Sequence, residues 1–139
     1  MNACIVFMGM LEGCAVITVE GLNGPNSELH PCQKALIDFH GSQCGFCTPG
    51  FVMSLFTAWS NKHGLMAEDI DDTLAGNLCR CTGYRPIVEA GLSLKNAKQP
   101  QWELDRNEIL KKELLEINSS EPVEITAVSY THLRAHETH

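Results

Sequence analysis

Hydrophobic positions change period along the chain. Before Pro25 the main apolar feature is the β-branched run Ala15-Val16-Ile17-Thr18-Val19, which predicts a strand, followed by the breaker segment Gly21-Leu22-Asn23-Gly24-Pro25. A lone strand cannot bury itself. It either packs on the helices after it or belongs to a sheet whose other strands are missing from this chain. From Asn26 the period is helical: Leu29, Cys32, Leu36 and Phe39 predict a first helix of about three turns, ended by Gly41. Thr48 as N-cap and Pro49 at the first helical position predict a second, with Phe51, Val52, Leu55, Phe56 and Trp59 inward and His63-Gly64 as its stop. Met66, Ile70 and Leu74 space a short third helix, whose acidic run Glu68, Asp69, Asp71 and Asp72 reads as a solvated face. A fourth begins near Arg85-Pro86 with Ile87, Val88, Gly91 and Leu92 inward.

Beyond Lys95 the chain turns polar, and Asn96 to Gln101 reads as a linker. Ile109, Leu110, Leu114 and Ile117 then mark an amphipathic segment that either docks on the helices or leads toward an absent domain. Residues 129–139 share no pattern with the rest of the chain. Their three histidines are set aside as part of a non-native, read-through-like tail.

Composition narrows the class. A chain of 139 residues, 44% hydrophobic and 19% charged, has room for one main core and not for two catalytic domains. Ten basic against 17 acidic residues, with no basic run, argue against nucleic acid or an anionic membrane as partner. The apolar stretch Ile5 to Leu11 is too short to span a bilayer and lacks a basic leader, so a reducing cytoplasm is the expected location. No dinucleotide or phosphate-binding glycine loop and no Ser/His/Asp set is visible.

The chemistry lies in the cysteines, at positions 4, 14, 32, 44, 47, 79 and 81. An odd number with two tight pairs does not read as a secreted disulfide framework. The pairs occur in Gln43-Cys44-Gly45-Phe46-Cys47-Thr48-Pro49-Gly50 and Gly76-Asn77-Leu78-Cys79-Arg80-Cys81-Thr82-Gly83-Tyr84-Arg85-Pro86, each just before a predicted helix. Two pairs separated by a helical hairpin can bring four thiolates to one site. Zinc takes four thiolates, but its usual knuckles space paired cysteines more widely than Cys79 and Cys81. A thioredoxin-like site at Cys44 and Cys47 needs a βαβ context that the sequence does not show. An iron–sulfur cluster fits better, with glycines letting backbone N–H groups reach the sulfurs and helix N-termini favouring its negative charge. Arg80 and Arg85 are candidates for added positive charge. Cys14 and Cys32 read as small core residues.

These two motifs closely resemble the helical [2Fe–2S] domain of the molybdenum hydroxylases, the xanthine dehydrogenase and aldehyde oxidase family. The stretch from His30 to Leu55 is most similar to the small, iron–sulfur subunits of the xanthine branch, and the likeness spans about Asn2 to Leu92. It implies a mainly α fold: a four-helix [2Fe–2S] domain over residues 25–96, preceded over 1–24 by a remnant strand of a β-grasp, plant-type ferredoxin-like domain. Residues 97–126 would lead toward a missing FAD domain, and 127–139 form the non-native tail. On this reading the chain is truncated at both ends.

The resemblance also implies residue roles. Cys44, Cys47, Cys79 and Cys81 would ligate the cluster. Gln43 would hydrogen-bond the pterin of a molybdenum cofactor, and Cys81 would lie against the pterin amino group. Cys4 would be an orphan ligand of a second [2Fe–2S] cluster whose other ligands are absent, so one cluster is expected. The implied function is electron transfer within an oxidoreductase complex, from a molybdenum-binding large subunit toward a second cluster and FAD. The alternative is a structural zinc or interaction module without electron transfer.

Overall fold

The computed structural model describes residues 6–118. Cys4 and the tail at 127–139 lie outside them. Five α-helices follow one another: α1 (Pro31–Asp38), α2 (Thr48–Ser60), α3 (Ile70–Leu74), α4 (Arg85–Ser93) and α5 (Gln101–Asn118). Short 3-10 turns at Met8–Leu11, Glu20–Leu22, Pro25–Ser27 and Leu94–Asn96 carry the chain between them. The four helices α1 to α4 form the domain, with α1 against α4 and α2, and α3 bridging α2 and α4.

Among the described residues there is no strand. The run at Ala15–Val19 finds no ladder partner, yet its alternation is used: Ile17 and Val19 pack on the core while Val16 is exposed. The first helix starts five residues later than the periodicity suggests. Asn26 and Ser27 adopt left-handed φ of 56° and 62°, and Pro31 then occupies the first helical position. His30 supplies the cap. Its Nδ1 accepts from Cys32 N–H at 3.2 Å, while its own N–H donates to Gln33 Oε1 at 2.8 Å, a capping box with histidine in the usual Ser/Thr role. Leu29 and Phe39, assigned to the buried stripe by spacing, fall outside α1 and are exposed.

Two helices end alike. After α1, Gly41 N–H bonds Leu36 O and His40 N–H bonds Ile37 O; after α2, His63 N–H bonds Ala58 O and Lys62 N–H bonds Trp59 O. This is the Schellman arrangement, but the left-handed position is filled by His40 and Lys62 rather than glycine. Gly41 and His63-Gly64 therefore follow the stops instead of forming them.

The core is made by Leu36 of α1, Phe51 and Leu55 of α2, Ile70 and Leu74 of α3, and Ile87 of α4, closed from outside by Leu22. Gly91 sets the approach of α4. A Cβ there would lie 2.7 Å from Ile70 Cδ1 and 2.9 Å from Leu55 Cδ2. The acidic run keeps Glu68, Asp71 and Asp72 exposed, as a solvated face.

α5 docks through its first turns rather than through its predicted apolar face. Trp102 covers Gly24, Arg106 donates to Gly21 O, and Glu103 is buried against His30, Oε2 to Nε2 at 3.4 Å. The His30 ring is enclosed edge-on by Phe56, Trp59 and Trp102. Ile109, Leu115 and Ile117 are exposed.

Burial lowers the His30 pKa, opposed by the neighbouring Glu103. Accepting at Nδ1 also requires that nitrogen to be unprotonated. The unfolded chain takes up a proton near 6.5 that the buried ring refuses, so this group's contribution to stability is present above that pH and is lost on acidification. His30→Ala removes a cap and the hydrogen-bond partner of buried Glu103, which is left with Arg106 Nη2 at 3.9 Å, an expected loss of about 2 kcal/mol or more. Urea denaturation of the metal-free chain at pH 8 checks this, and the variant should also lose the His30 part of the acid sensitivity. A loss under about 1 kcal/mol would contradict the role given to this pair.

Candidate metal centre

The first cysteine loop is shaped by Gly45, whose φ of +85° an L side chain rarely adopts. Thr48 N–H closes the turn onto Gly45 O at 3.2 Å, and Cys47 becomes the N-cap of α2. The cap thus falls one residue before the expected Thr48, whose hydroxyl instead pairs with Ser42 Oγ at 2.7 Å. A ligand at the mouth of α2 has that helix's orphan N–H groups beside it.

The second loop is tied to the first through α2. Asn77 Nδ2 donates to Ser54 Oγ at 2.7 Å, and a Cβ on Gly50 would lie 2.8 Å from Asn77 Oδ1. Tyr84 holds the loop's other end. It sits at φ +68°, its hydroxyl accepts from Cys79 N–H at 2.9 Å, and its ring meets buried Phe51 edge-on.

These constraints bring together the four cysteines expected as ligands. Cys81 Sγ lies 3.4 Å from Cys44 Sγ, and the Cys47 and Cys79 thiols are near enough for each to shift the other's proton affinity. Sulfurs sharing one tetrahedral metal at roughly 2.3 Å are about 3.8 Å apart, so the Cys44–Cys81 pair, at 3.4 Å, needs to open by only a few tenths of an ångström to span one such edge. Each pair takes one cysteine from each loop. Among the described residues no three His, Cys, Asp or Glu side chains converge as a single ion would need. Two-and-two pairing suits a two-metal unit better than a lone zinc, and all-thiolate donors with N–H groups at the sulfurs suit [2Fe–2S].

The pairs differ in exposure and in proton affinity. Cys79 is buried and Cys47 half-buried, while Cys44 and Cys81 are exposed. The Thr82 hydroxyl first, then the Thr82 and Cys81 N–H groups, bring the Cys79 thiol down to about 7. Phe46 N–H and then the Cys81 thiol lower Cys44. Burial, followed by the hydrogen bond to Cys79, raises Cys47, and donation to Cys44 raises Cys81.

Gln43 is exposed on the same loop, one residue before Cys44. Arg85 is exposed and paired with Glu89 at 2.9 Å. Arg80 is exposed. Buried Cys32 is a core residue as expected, with its thiol pushed up to about 12 by burial, whereas Cys14 is exposed. Sequence reasoning missed Thr82, Tyr84 and Asn77, which hold the second loop, and the exposed apolar pair Phe46 and Leu78 beside the cysteines. A hydroxyl residue directly after the last ligand, and apolar residues inside polar loops, were the available signals.

Residues 18–92 match the family described as "[2Fe-2S] binding domain". The chain belongs to this family. It is 56% identical over 88 residues to a xanthine dehydrogenase/oxidase of Gallus gallus, 63% of this chain but 6% of that protein. It is 51% identical over 90 residues to aldehyde oxidase 1 of Oryctolagus cuniculus, 65% of this chain and 7% of the relative. Among solved structures, quinoline 2-oxidoreductase from Pseudomonas putida 86 aligns with a TM-score of 0.59 at 33% identity, covering 70% of this chain and 60% of that one. Aldehyde oxidoreductase from Desulfovibrio gigas aligns at 0.58 and 37%, covering 75% and 12%. The chain thus corresponds to a small part of the long relatives. Among the described residues no helix is long and apolar enough to cross a membrane.

Thiol reactivity follows the thiolate fraction and access. Iodoacetamide at pH 8, read by peptide mass spectrometry, should label Cys44 of the native metal-free chain well before Cys32, which reacts only after denaturation. Equal labelling of the two in the native chain would contradict the site described.

Proposed function

We propose that this chain is the [2Fe–2S] electron-transfer module of a xanthine-dehydrogenase-like molybdenum hydroxylase, working as part of an oxidoreductase complex. The observation that carries the reading is the pairing of Cys44 with Cys81 and of Cys47 with Cys79 across two loops, in a family of [2Fe–2S] binding domains. A [2Fe–2S] group, when bound, supplies one-electron transfer. The chain's own residues do the rest. Cys44, Cys47, Cys79 and Cys81 hold the irons, Tyr84, braced edge-on by Phe51, holds the Cys79 N–H, and α2 presents N–H groups to the loop that carries Cys44 and Cys47. No acid or base is needed.

The outer pair opens onto a surface that carries Phe46, 94% exposed, and Leu78, 84% exposed. Large apolar side chains standing in solvent beside a redox centre suit a docking face. On this reading that face meets the molybdenum-binding large subunit. There Gln43 would hydrogen-bond the pterin, and Cys81 would lie nearest to it. Electrons would leave toward a second cluster and an FAD domain or subunit, reached through residues 97–126. Residues 1–24 would be the end of a ferredoxin-like domain, with Cys4 as a ligand of that second cluster. A reducing cytoplasm would keep these cysteines available as ligands.

Anaerobic purification followed by iron, zinc and acid-labile sulfide analysis tests this. Two irons and two sulfides per chain are expected, with a paramagnetic signal on dithionite reduction, and Cys79→Ser should lose most of both. Zinc without sulfide would overturn it.

A further inference from the structure

Hydrogen bonding singles out Cys79 among the four ligands. Its sulfur lies 3.2 Å from Thr82 Oγ1 and 3.5 Å from Thr82 N. Among the described residues none of the other three sulfurs has a side-chain hydroxyl at such a distance; Cys44 and Cys81 meet each other, and Cys47 faces Cys79. The direction of the hydroxyl follows from its second contact. Tyr84 N–H donates to Thr82 Oγ1 at 3.2 Å, so that oxygen is already an acceptor on one side and its single hydrogen is left for the sulfur. A metal-bound thiolate has no proton of its own and can only accept.

The geometry is held rather than incidental. Tyr84 keeps a left-handed φ of +68° that a tyrosine rarely adopts, and its hydroxyl accepts Cys79 N–H at 2.9 Å. One residue therefore fixes both the backbone of Cys79 and the rotor of Thr82. Cys79 is also the least exposed of the four, at 9%, so water competes little with the bond.

We propose that Thr82 is a positioning residue that sets the reduction potential of the centre through Cys79. Adding one electron increases the negative charge shared by the ligand sulfurs. A fixed O–H donor stabilises that form more than the oxidised one. No covalent bond is made or broken, and no proton is transferred. The proposal rests on the [2Fe–2S] reading of the four cysteines.

Potentiometric titration of the iron-loaded full chain, followed by electron paramagnetic resonance, tests it. Thr82→Val keeps the shape and removes the donor. It should shift the reduction equilibrium roughly tenfold toward the oxidised form, a potential ~59 mV more negative for one electron. Thr82→Ser restores the hydroxyl and should stay within about threefold of the parent, a margin well short of the tenfold step. Thr82→Ala, which adds no bulk, reads the same loss if valine does not fit. An unchanged potential in Thr82→Val or Thr82→Ala with the cluster intact would overturn the proposal, as would a serine variant shifted as far as valine. So would retention of iron by serine alone, which would make the hydroxyl an assembly requirement. A parent chain with no labile sulfide would fail the underlying reading itself, before any variant is compared.

Discussion

On the proposed reading four sulfurs carried on two loops meet at one two-metal unit, and the packing of the domain is what brings those loops together. The loops are separated by α2 and α3, so nothing local in the chain brings them together. Asn77 on Ser54, the missing side chain at Gly50 and the edge contact of Tyr84 with Phe51 supply the link, and all three work through α2. That helix is both the floor of the core and the mount of Cys47. The close approach of α4 at Gly91 then fixes where the second loop ends. A small domain with modest apolar burial gains from such cross-linking, because metal bound only by the folded chain adds its binding free energy to folding.

The same economy explains α5. A helix with exposed Ile109, Leu115 and Ile117 would not settle on the domain by apolar contact. It is held instead by Glu103 reaching a histidine that already caps α1, within a box of aromatic rings. One buried imidazole thus joins the first helix to the last.

Much of this architecture was legible in the chain. Periodicity located all four domain helices, because their apolar stripes are regular, and the two cysteine motifs picked out the residues that the fold carries to two neighbouring loops. Boundaries were less legible where backbone conformation outweighed pattern. Leu29 and Phe39 extend the stripe of α1 in sequence, but Pro31 and the left-handed His40 confine the helix between them. The β-branched run at 15–19 has strand propensity without a ladder partner among the described residues, and propensity alone makes no sheet. Which sulfurs pair was beyond spacing: Cys44 is nearer in sequence to Cys47, yet it meets Cys81. Thr82 was visible as a hydroxyl directly after the last motif cysteine, but its framing of Cys79 together with Tyr84 depends on one unusual φ angle.

X-ray absorption at the iron edge of the anaerobically prepared chain tests the central claim most directly, that the two loops assemble a two-metal, all-sulfur centre. The account predicts sulfur-only first-neighbour scattering at every iron together with a short iron–iron vector. A first shell containing nitrogen or oxygen, or metal bound without a metal–metal vector, would contradict it.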